Sequence, residues 1–298
     1  MNRMSKTLIL HIGYAKTATT FLQEGVYPRL AGIDYLGRMV DAENEHQFTK
    51  WTYEFAKDST YDLSNLKKLV GGIDSEAILI SNEVILRPFQ FTERIQRLSA
   101  LTMHFDRVCI MLSIRSQADL IFSRYMHDLD SGVFSEYELE KALDYTGTKE
   151  CIWPTCGDSI VNKLWRKSPF HGGTCLCNRD KIKSINLPYY NLELISDELT
   201  KHFGDNVHYI VSERLRTDPR SELDKMCDFL SVDPLSESDL DVVTTIKSNE
   251  RRSKGKYVSN KKKYTENGVL DGLKTHFAAS NVQFSAKAKV DLTGFNYY

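Results

Sequence analysis

The stretch LHIGYAKTATTFLQEG, residues 10–25, decides the fold of this chain because two structural patterns meet in it. Residues 7–12 are mostly aliphatic or β-branched and are followed by a glycine, so they predict a buried strand. Residues 17–26 carry an apolar face, which predicts a helix. Residues 13–20, which include a lysine and three threonines, therefore join the end of a strand to the start of a helix.

Such a junction is suited to binding a phosphate group. A helix N-terminus has unpaired N–H groups and a partial positive charge. Lys16 adds a full charge, and Thr17, Thr19 and Thr20 add hydroxyl donors. A simpler interpretation is a helix cap beside a solvated lysine. A Walker A loop is not indicated, because that motif needs a glycine directly before the lysine and Ala15 stands there.

The junction resembles the 5′-phosphosulfate loop of sulfotransferases, in which the pattern G-x-x-K-[TS]-[GA]-T-T opens the first helix. Ala18 stands where glycine is more usual. The resemblance implies that the loop binds the sulfate donor 3′-phosphoadenosine 5′-phosphosulfate, with Lys16 also acting in catalysis. The donor-binding residues implied in this way are Gly13, Tyr14, Ala15, Lys16, Thr17, Ala18, Thr19 and Thr20.

A second motif lies in RVCIMLSIRSQADLIFSRYMHD, residues 107–128. Residues 108–114 predict another buried strand, Arg115 follows it, and a helix pattern begins at once. Arg115 and Ser123 can grip one phosphate from two sides, the arginine through two parallel hydrogen bonds and the serine as a neutral donor. This spacing resembles the segment of sulfotransferases that binds the 3′-phosphate of the donor.

The resemblance extends over nearly the whole chain, although it is thin between residues 149 and 185. Ser81-Asn82-Glu83 follows a strand pattern at residues 77–81, and the C-terminal residues 277–298 resemble the close of many bacterial members. The implied fold is α/β, a three-layer α/β/α arrangement with a central parallel sheet of the P-loop-NTPase-like sulfotransferase type. We expect a single domain over residues 1–298, with an irregular insertion at 149–188.

The basic segment NERRSKGKYVSNKKK, residues 249–263, carries seven basic residues. Such runs are usually solvated loops. Arg252, Lys254 and Gly255 nevertheless resemble a family loop that closes over the 3′-phosphate of the donor. The resemblance implies that these three residues bind the nucleotide.

Three residues are candidates for the general base that takes the proton of the acceptor hydroxyl. Glu83 follows the tip of a strand, and Glu45 and His46 lie in AENEHQF, residues 42–48. The last segment resembles both the stretch that carries the base in heparan sulfate sulfotransferases and a bacterial histidine motif. An imidazole needs little tuning to act as a base, whereas a carboxylate needs burial. We favour Glu45 or His46 as the base and Glu83 as an orienting carboxylate.

Composition excludes several classes of protein. A net charge of −1 argues against a general nucleic-acid binder, and no apolar run approaches the ~20 residues of a membrane span. Because the N-terminus leads directly into the first strand, we expect no signal peptide and a cytoplasmic protein. A zinc site formed by Cys151, Cys156, Cys175 and Cys177 fits no common spacing, so we expect no metal cofactor.

The leading interpretation is a sulfotransferase that moves a sulfuryl group from 3′-phosphoadenosine 5′-phosphosulfate to a hydroxyl acceptor and releases adenosine 3′,5′-bisphosphate. The family resemblance implies a carbohydrate acceptor, such as a cell-surface glycan or its precursor. One alternative is a P-loop kinase or nucleotide hydrolase, which would need a strand ending in aspartate for Mg²⁺. Another is a non-catalytic nucleotide-binding protein, which the fold alone does not exclude.

Overall fold

A computed structural model describes residues 3–38, 46–58, 62–83, 85–86, 91–130, 138–145, 185–245 and 254–298. The insertion predicted at 149–188 lies almost entirely outside these residues. The chain divides into two compact units. The first comprises Met1–Ile114 and Asp197–Asn249, and the second comprises Arg115–Ser196 and Glu250–Tyr298.

The described residues form the following strands and helices. The strands are β1 (Met4–Gly13), β2 (Ile33–Arg38), β3 (Ala77–Ser81), β4 (Phe105–Ile114), β5 (Leu143–Asp144), β6 (Ile185–Asn186) and β7 (Val207–Val211). The helices are α1 (Thr19–Phe21), α2 (Gln47–Lys57), α3 (Leu66–Val70), α4 (Phe91–Ser99), α5 (Gln117–Asp130), α6 (Leu139–Ala142), α7 (Leu192–Phe203), α8 (Ser212–Thr217), α9 (Pro219–Leu230), α10 (Glu237–Thr245), α11 (Lys254–Glu266) and α12 (Val269–Ala288). Helix α1 continues as a π turn over Leu22–Val26 and a 3-10 turn over Tyr27–Arg29.

The first unit contains a five-stranded sheet in the order β2-β3-β1-β4-β7, with all neighbouring strands parallel. The predicted α/β fold with a central parallel sheet is thereby confirmed. The chain leaves β1 toward β2 and β3 on one side and then crosses to β4 and β7 on the other. The carboxyl end of β1 is therefore a topological switch point, where open parallel sheets bind their ligands.

Strand β1 is central because both of its faces are apolar. Alternate strand residues such as Ile9 of β1, Leu79 of β3 and Met111 of β4 form one core with helical residues. Val26, from the turn that follows α1, and Met226 of α9 pack into that core. The candidate site lies at the carboxyl end of this buried strand.

The second unit is organised around helix α5. The ring of Phe122 on α5 lies 4.9 Å from that of Tyr257 on α11, and the hydroxyls of Tyr125 and Tyr264 are 3.3 Å apart. Strands β5 and β6 form a short parallel pair in the same unit. Among the residues described in either unit, no helix is both long and apolar enough to cross a membrane.

Candidate functional site

The loop of residues 13–20 begins at the carboxyl end of β1, as predicted. Gly13 is the last residue of β1 and is paired with Ser113 of β4. A side-chain carbon added at Gly13 would lie 3.3 Å from the Cβ atom of Ser113 and 3.5 Å from the hydroxyl oxygen of Thr17. A larger residue at position 13 would therefore need a small displacement of Ser113, whereas glycine fits without one.

The backbone of this loop is strained at two positions. Lys16 has a φ angle of 78° and Ala18 one of 62°, which places both residues in the left-handed region. That region costs an L-residue roughly 1–2 kcal/mol. Strain of this kind clusters at ligand sites, and left-handed residues in tight turns are typical of anion-binding nests. The loop conformation thus supports an anion site independently of the sequence motif.

The side chains of the loop divide into two groups. The Thr17 hydroxyl is buried and donates a hydrogen bond to the carbonyl of Tyr14, with an O–O distance of 2.5 Å. This bond closes the loop, so the Thr17 hydroxyl shapes the site. Lys16 and Thr20 are half-buried and Thr19 is buried. The positions predicted to bind one anion therefore lie on a single tight turn.

Replacement of Ala18 by glycine is expected to raise the free energy of unfolding by up to about 1 kcal/mol, since glycine adopts the left-handed conformation without steric cost. Ala15 has no positive φ angle, so Ala15→Gly is expected to lower stability by roughly 0.5–1 kcal/mol. Urea unfolding of both variants measures the two effects. Equal losses in the two variants would show that the loop is not strained at Ala18.

Beneath the loop lies a buried hydrogen-bond network that centres on His11 of β1. The Nδ1 atom of His11 is 2.7 Å from the hydroxyl of Ser81 on β3, and its Nε2 atom is 2.6 Å from the hydroxyl of Ser113 on β4. Gln23, in the π turn after α1, donates from Nε2 to the Ser81 hydroxyl at 2.8 Å. The network thus ties three adjacent strand ends to the helical segment that follows the loop.

Burial lowers the pKa of His11 to about 3, so the imidazole is neutral at physiological pH. A neutral imidazole donates from one ring nitrogen and accepts at the other, and its two serine partners satisfy both atoms. The sequence indicated only a buried strand here. The two serine partners of His11 are 70 and 102 residues away along the chain, and the periodicity of a strand carries no information about such distant partners.

Glu83 is held at the same edge of the sheet as the loop. The N–H of Asn82 donates to the carbonyl of His11 at 2.8 Å, which extends the pairing between β1 and β3 by one residue. Glu83 follows directly and is half-buried. This predicted carboxylate is therefore placed beside the carboxyl end of β1.

His46 is the N-cap of helix α2. Its Nδ1 atom accepts a hydrogen bond from the N–H of Phe48 at 3.2 Å. The lone pair of Nδ1 is therefore engaged in the cap. The role of His46 as the base stays a prediction. The other candidate in this segment, Glu45, lies outside the described residues.

The second motif lies in the second unit. Arg115 is the first residue after β4, and α5 begins two residues later at Gln117. Ser123 is buried on the second turn of α5, and Arg115 is half-buried. The strand, arginine, helix and serine therefore follow one another as predicted.

Helix α11 shows that part of the basic segment is a helix, where a loop was predicted. The helix begins at Lys254, so Lys254 and Gly255 form its first turn and not a loop. The cause is packing on α5: Tyr257 contacts Phe122, and the ammonium of Lys261 is 2.7 Å from a carboxylate oxygen of Asp119. The tyrosine stands two residues after Gly255, and Phe122 directly precedes Ser123. Arg252 lies outside the described residues.

Comparison with known proteins identifies the fold. No protein-family profile matches the sequence, and no curated protein matches it. Among solved structures, a sulfotransferase from Alicyclobacillus acidocaldarius is similar over 99% of this chain and 99% of its own, with 15% sequence identity and a TM-score of 0.53. The chain has the sulfotransferase fold. Mouse sulfotransferase SULT7A1, crystallised with PAP, matches over 98% of this chain and 91% of its own, with 14% identity and a TM-score of 0.44.

The fold predicted from the two sulfotransferase motifs is confirmed by this comparison. Within the sulfotransferase fold of this chain, the first unit brings together the loop 13–20, the strand end at Glu83 and the His11 network. The second unit carries Arg115, Ser123 and Gly255. The His11 network is the part of the site region that motif reasoning missed.

The described cysteines and acidic residues show no metal centre. Cys109 and Cys227 are free and buried, and burial raises the pKa of each thiol to about 11. The described part of this sulfotransferase fold contains no group of three His, Cys, Asp or Glu residues that could hold a metal ion. Cys151, Cys156, Cys175 and Cys177 lie outside it.

Proposed function

We propose that this protein transfers a sulfuryl group from 3′-phosphoadenosine 5′-phosphosulfate to a hydroxyl group of an acceptor. The observation that carries the proposal is the strained loop 13–20. It places Lys16 and Ala18 in left-handed conformations at the topological switch point of a sulfotransferase fold. Lysine at a strained, half-buried turn is suited to a group that carries several negative charges.

Each part of the loop has a role in the proposed reaction. The backbone N–H groups of the loop, with Thr19 and Thr20, hold the oxygens of the 5′-phosphosulfate. The acceptor oxygen forms a bond to sulfur while the bond between sulfur and the bridging phosphate oxygen breaks. The Lys16 ammonium stabilises the charge that develops on that bridging oxygen as adenosine 3′,5′-bisphosphate leaves.

The 3′-phosphate of the donor is assigned to Arg115 and Ser123. Support comes from the second unit, where Arg115 directly precedes α5 and Ser123 is buried on its second turn. Arg252, Lys254 and Gly255 are proposed to complete this phosphate site. The contact of Tyr257, two residues after Gly255, with Phe122, the residue before Ser123, supports the assignment.

A carboxylate is proposed as the general base that takes the proton of the acceptor hydroxyl. Glu83 stands beside the carboxyl end of β1, and Glu45 remains the alternative proposed from the sequence. His46 is a weaker candidate because its Nδ1 atom caps α2. We further propose a carbohydrate acceptor, which rests only on the resemblance of the motifs to bacterial carbohydrate sulfotransferases.

Calorimetric titration with adenosine 3′,5′-bisphosphate and with ATP and Mg²⁺ tests the proposed function. We expect the bisphosphate to bind without added metal and to bind more tightly than ATP with Mg²⁺, since the loop lacks the Walker A glycine. Binding of ATP with Mg²⁺ alone would indicate a kinase or hydrolase. Binding of neither nucleotide at millimolar concentration would contradict the proposal.

A further inference from the structure

The start of helix α5 is attached to the C-terminal end of the chain. Ser116 lies between Arg115 and α5, and its carbonyl accepts a helical hydrogen bond from Leu120 at 2.8 Å. The Ser116 hydroxyl donates to the carbonyl of Asn296 at 2.9 Å. The residue that follows Arg115 is thus bonded directly to the C-terminal segment.

The next residue, Gln117, is bonded to the same segment through Asn281 of α12. Gln117 donates from Nε2 to Oδ1 of Asn281 at 2.6 Å, and Asn281 donates from Nδ2 to Oε1 of Gln117 at 3.0 Å. The Nδ2 atom of Asn281 also donates to the carbonyl of Tyr297 at 2.6 Å. The side-chain amides of Gln117 and Asn281 therefore bond to each other, and Asn281 also bonds to the C-terminal segment.

This pair lies in a fully buried environment. Asn281 is completely inaccessible to solvent, and Gln117 and Tyr297 are nearly so. Buried polar networks in which every member is bonded rigidify a structure and specify one arrangement of the groups they join. Asn281 and the segment 291–298 thus hold the side chains of the two residues that directly follow Arg115.

We propose that Asn281 and the C-terminal segment 291–298 position Arg115 for the 3′-phosphate of the donor nucleotide. This inference rests on the proposed function. Arginine has a long side chain, and its planar guanidinium binds a phosphate well only in one orientation. Holding the two residues that follow Arg115 lowers the entropy that its side chain loses when it binds a phosphate.

The test compares two nucleotides that differ only in the 3′-phosphate. Asn281→Ala is expected to weaken the binding of adenosine 3′,5′-bisphosphate by about 3- to 10-fold and to leave the binding of adenosine 5′-phosphate unchanged. Ser116→Ala removes the hydrogen bond to Asn296 and is expected to weaken bisphosphate binding relative to adenosine 5′-phosphate in the same way. If Asn281→Ala does not fold, the Ser116→Ala variant tests the proposal instead.

Ser285→Ala is the matched control, because Ser285 also lies on α12 and bonds the C-terminal region through the carbonyl of Val290 at 2.6 Å. Ser285→Ala is expected to keep the wild-type preference for adenosine 3′,5′-bisphosphate over adenosine 5′-phosphate. Equal loss of both nucleotides in Asn281→Ala and Ser116→Ala, or unchanged selectivity in both, would overturn the positioning role. A wild-type protein that does not bind the bisphosphate would overturn the proposed function as well.

Discussion

Replacement of Lys16 by alanine is expected to lower kcat by about 10²–10³-fold and to change the affinity for adenosine 3′,5′-bisphosphate far less. The charge that Lys16 opposes is larger in the transition state than in the bound donor, so its loss appears mainly in turnover. Alanine at a φ angle of 78° carries the same backbone strain as lysine. The measured loss therefore reports on the ammonium group and not on the loop.

The measurement is steady-state transfer of labelled sulfate to an accepted sugar or phenol, with bisphosphate affinity determined for each variant. Lys67→Ala is a matched control, because Lys67 is an exposed lysine in the same unit. Lys16→Arg is not expected to restore activity, since a planar guanidinium does not replace a compact ammonium in a tight loop. Near-normal kcat in Lys16→Ala would show that the loop only holds a phosphate.

Arg115→Ala is expected to weaken adenosine 3′,5′-bisphosphate binding by about 2–4 kcal/mol, which corresponds to roughly 30- to 1000-fold. The substitution removes a charge-assisted pair to a phosphate that is partly shielded from water. Adenosine 5′-phosphate lacks the 3′-phosphate and is expected to bind equally to the variant and the wild type. Calorimetry with the two nucleotides provides the comparison.

Arg220→Ala is the control for this experiment. Arg220 forms ion pairs with Asp224 and Glu237 at the surface, where such pairs contribute little. It should bind both nucleotides as the wild type does. If Arg115→Ala loses affinity for both nucleotides alike, Arg115 supports the fold and does not read the 3′-phosphate.

The elements that position the loop could be predicted from the sequence, because buried parallel strands are continuous apolar runs. The predicted strand at residues 77–81 matches β3, and the predicted strand at 108–114 forms most of β4. Strand β2 was not predicted. Among the described residues it is an edge strand that pairs with β3, and residues such as Asp34 and Gly37 interrupt any apolar pattern.

The contacts that support the site could not be predicted in the same way. His11 and Asn281 depend on partners far away along the chain, and no local pattern reveals such pairs. The C-terminal residues 277–298 were identified by resemblance alone, and their hydrogen bonds to the start of α5 now give that pattern a physical reason. The helix at Lys254 was missed because its aromatic contacts with α5 outweigh a basic composition typical of loops.

The crystal structure of the protein with adenosine 3′,5′-bisphosphate tests the central claim most directly. We predict the 5′-phosphate on the backbone N–H groups of residues 16–20, within reach of the Lys16 ammonium, and the 3′-phosphate on Arg115 and Ser123. A bisphosphate bound elsewhere on the protein, with residues 13–20 free of the nucleotide, would contradict the account.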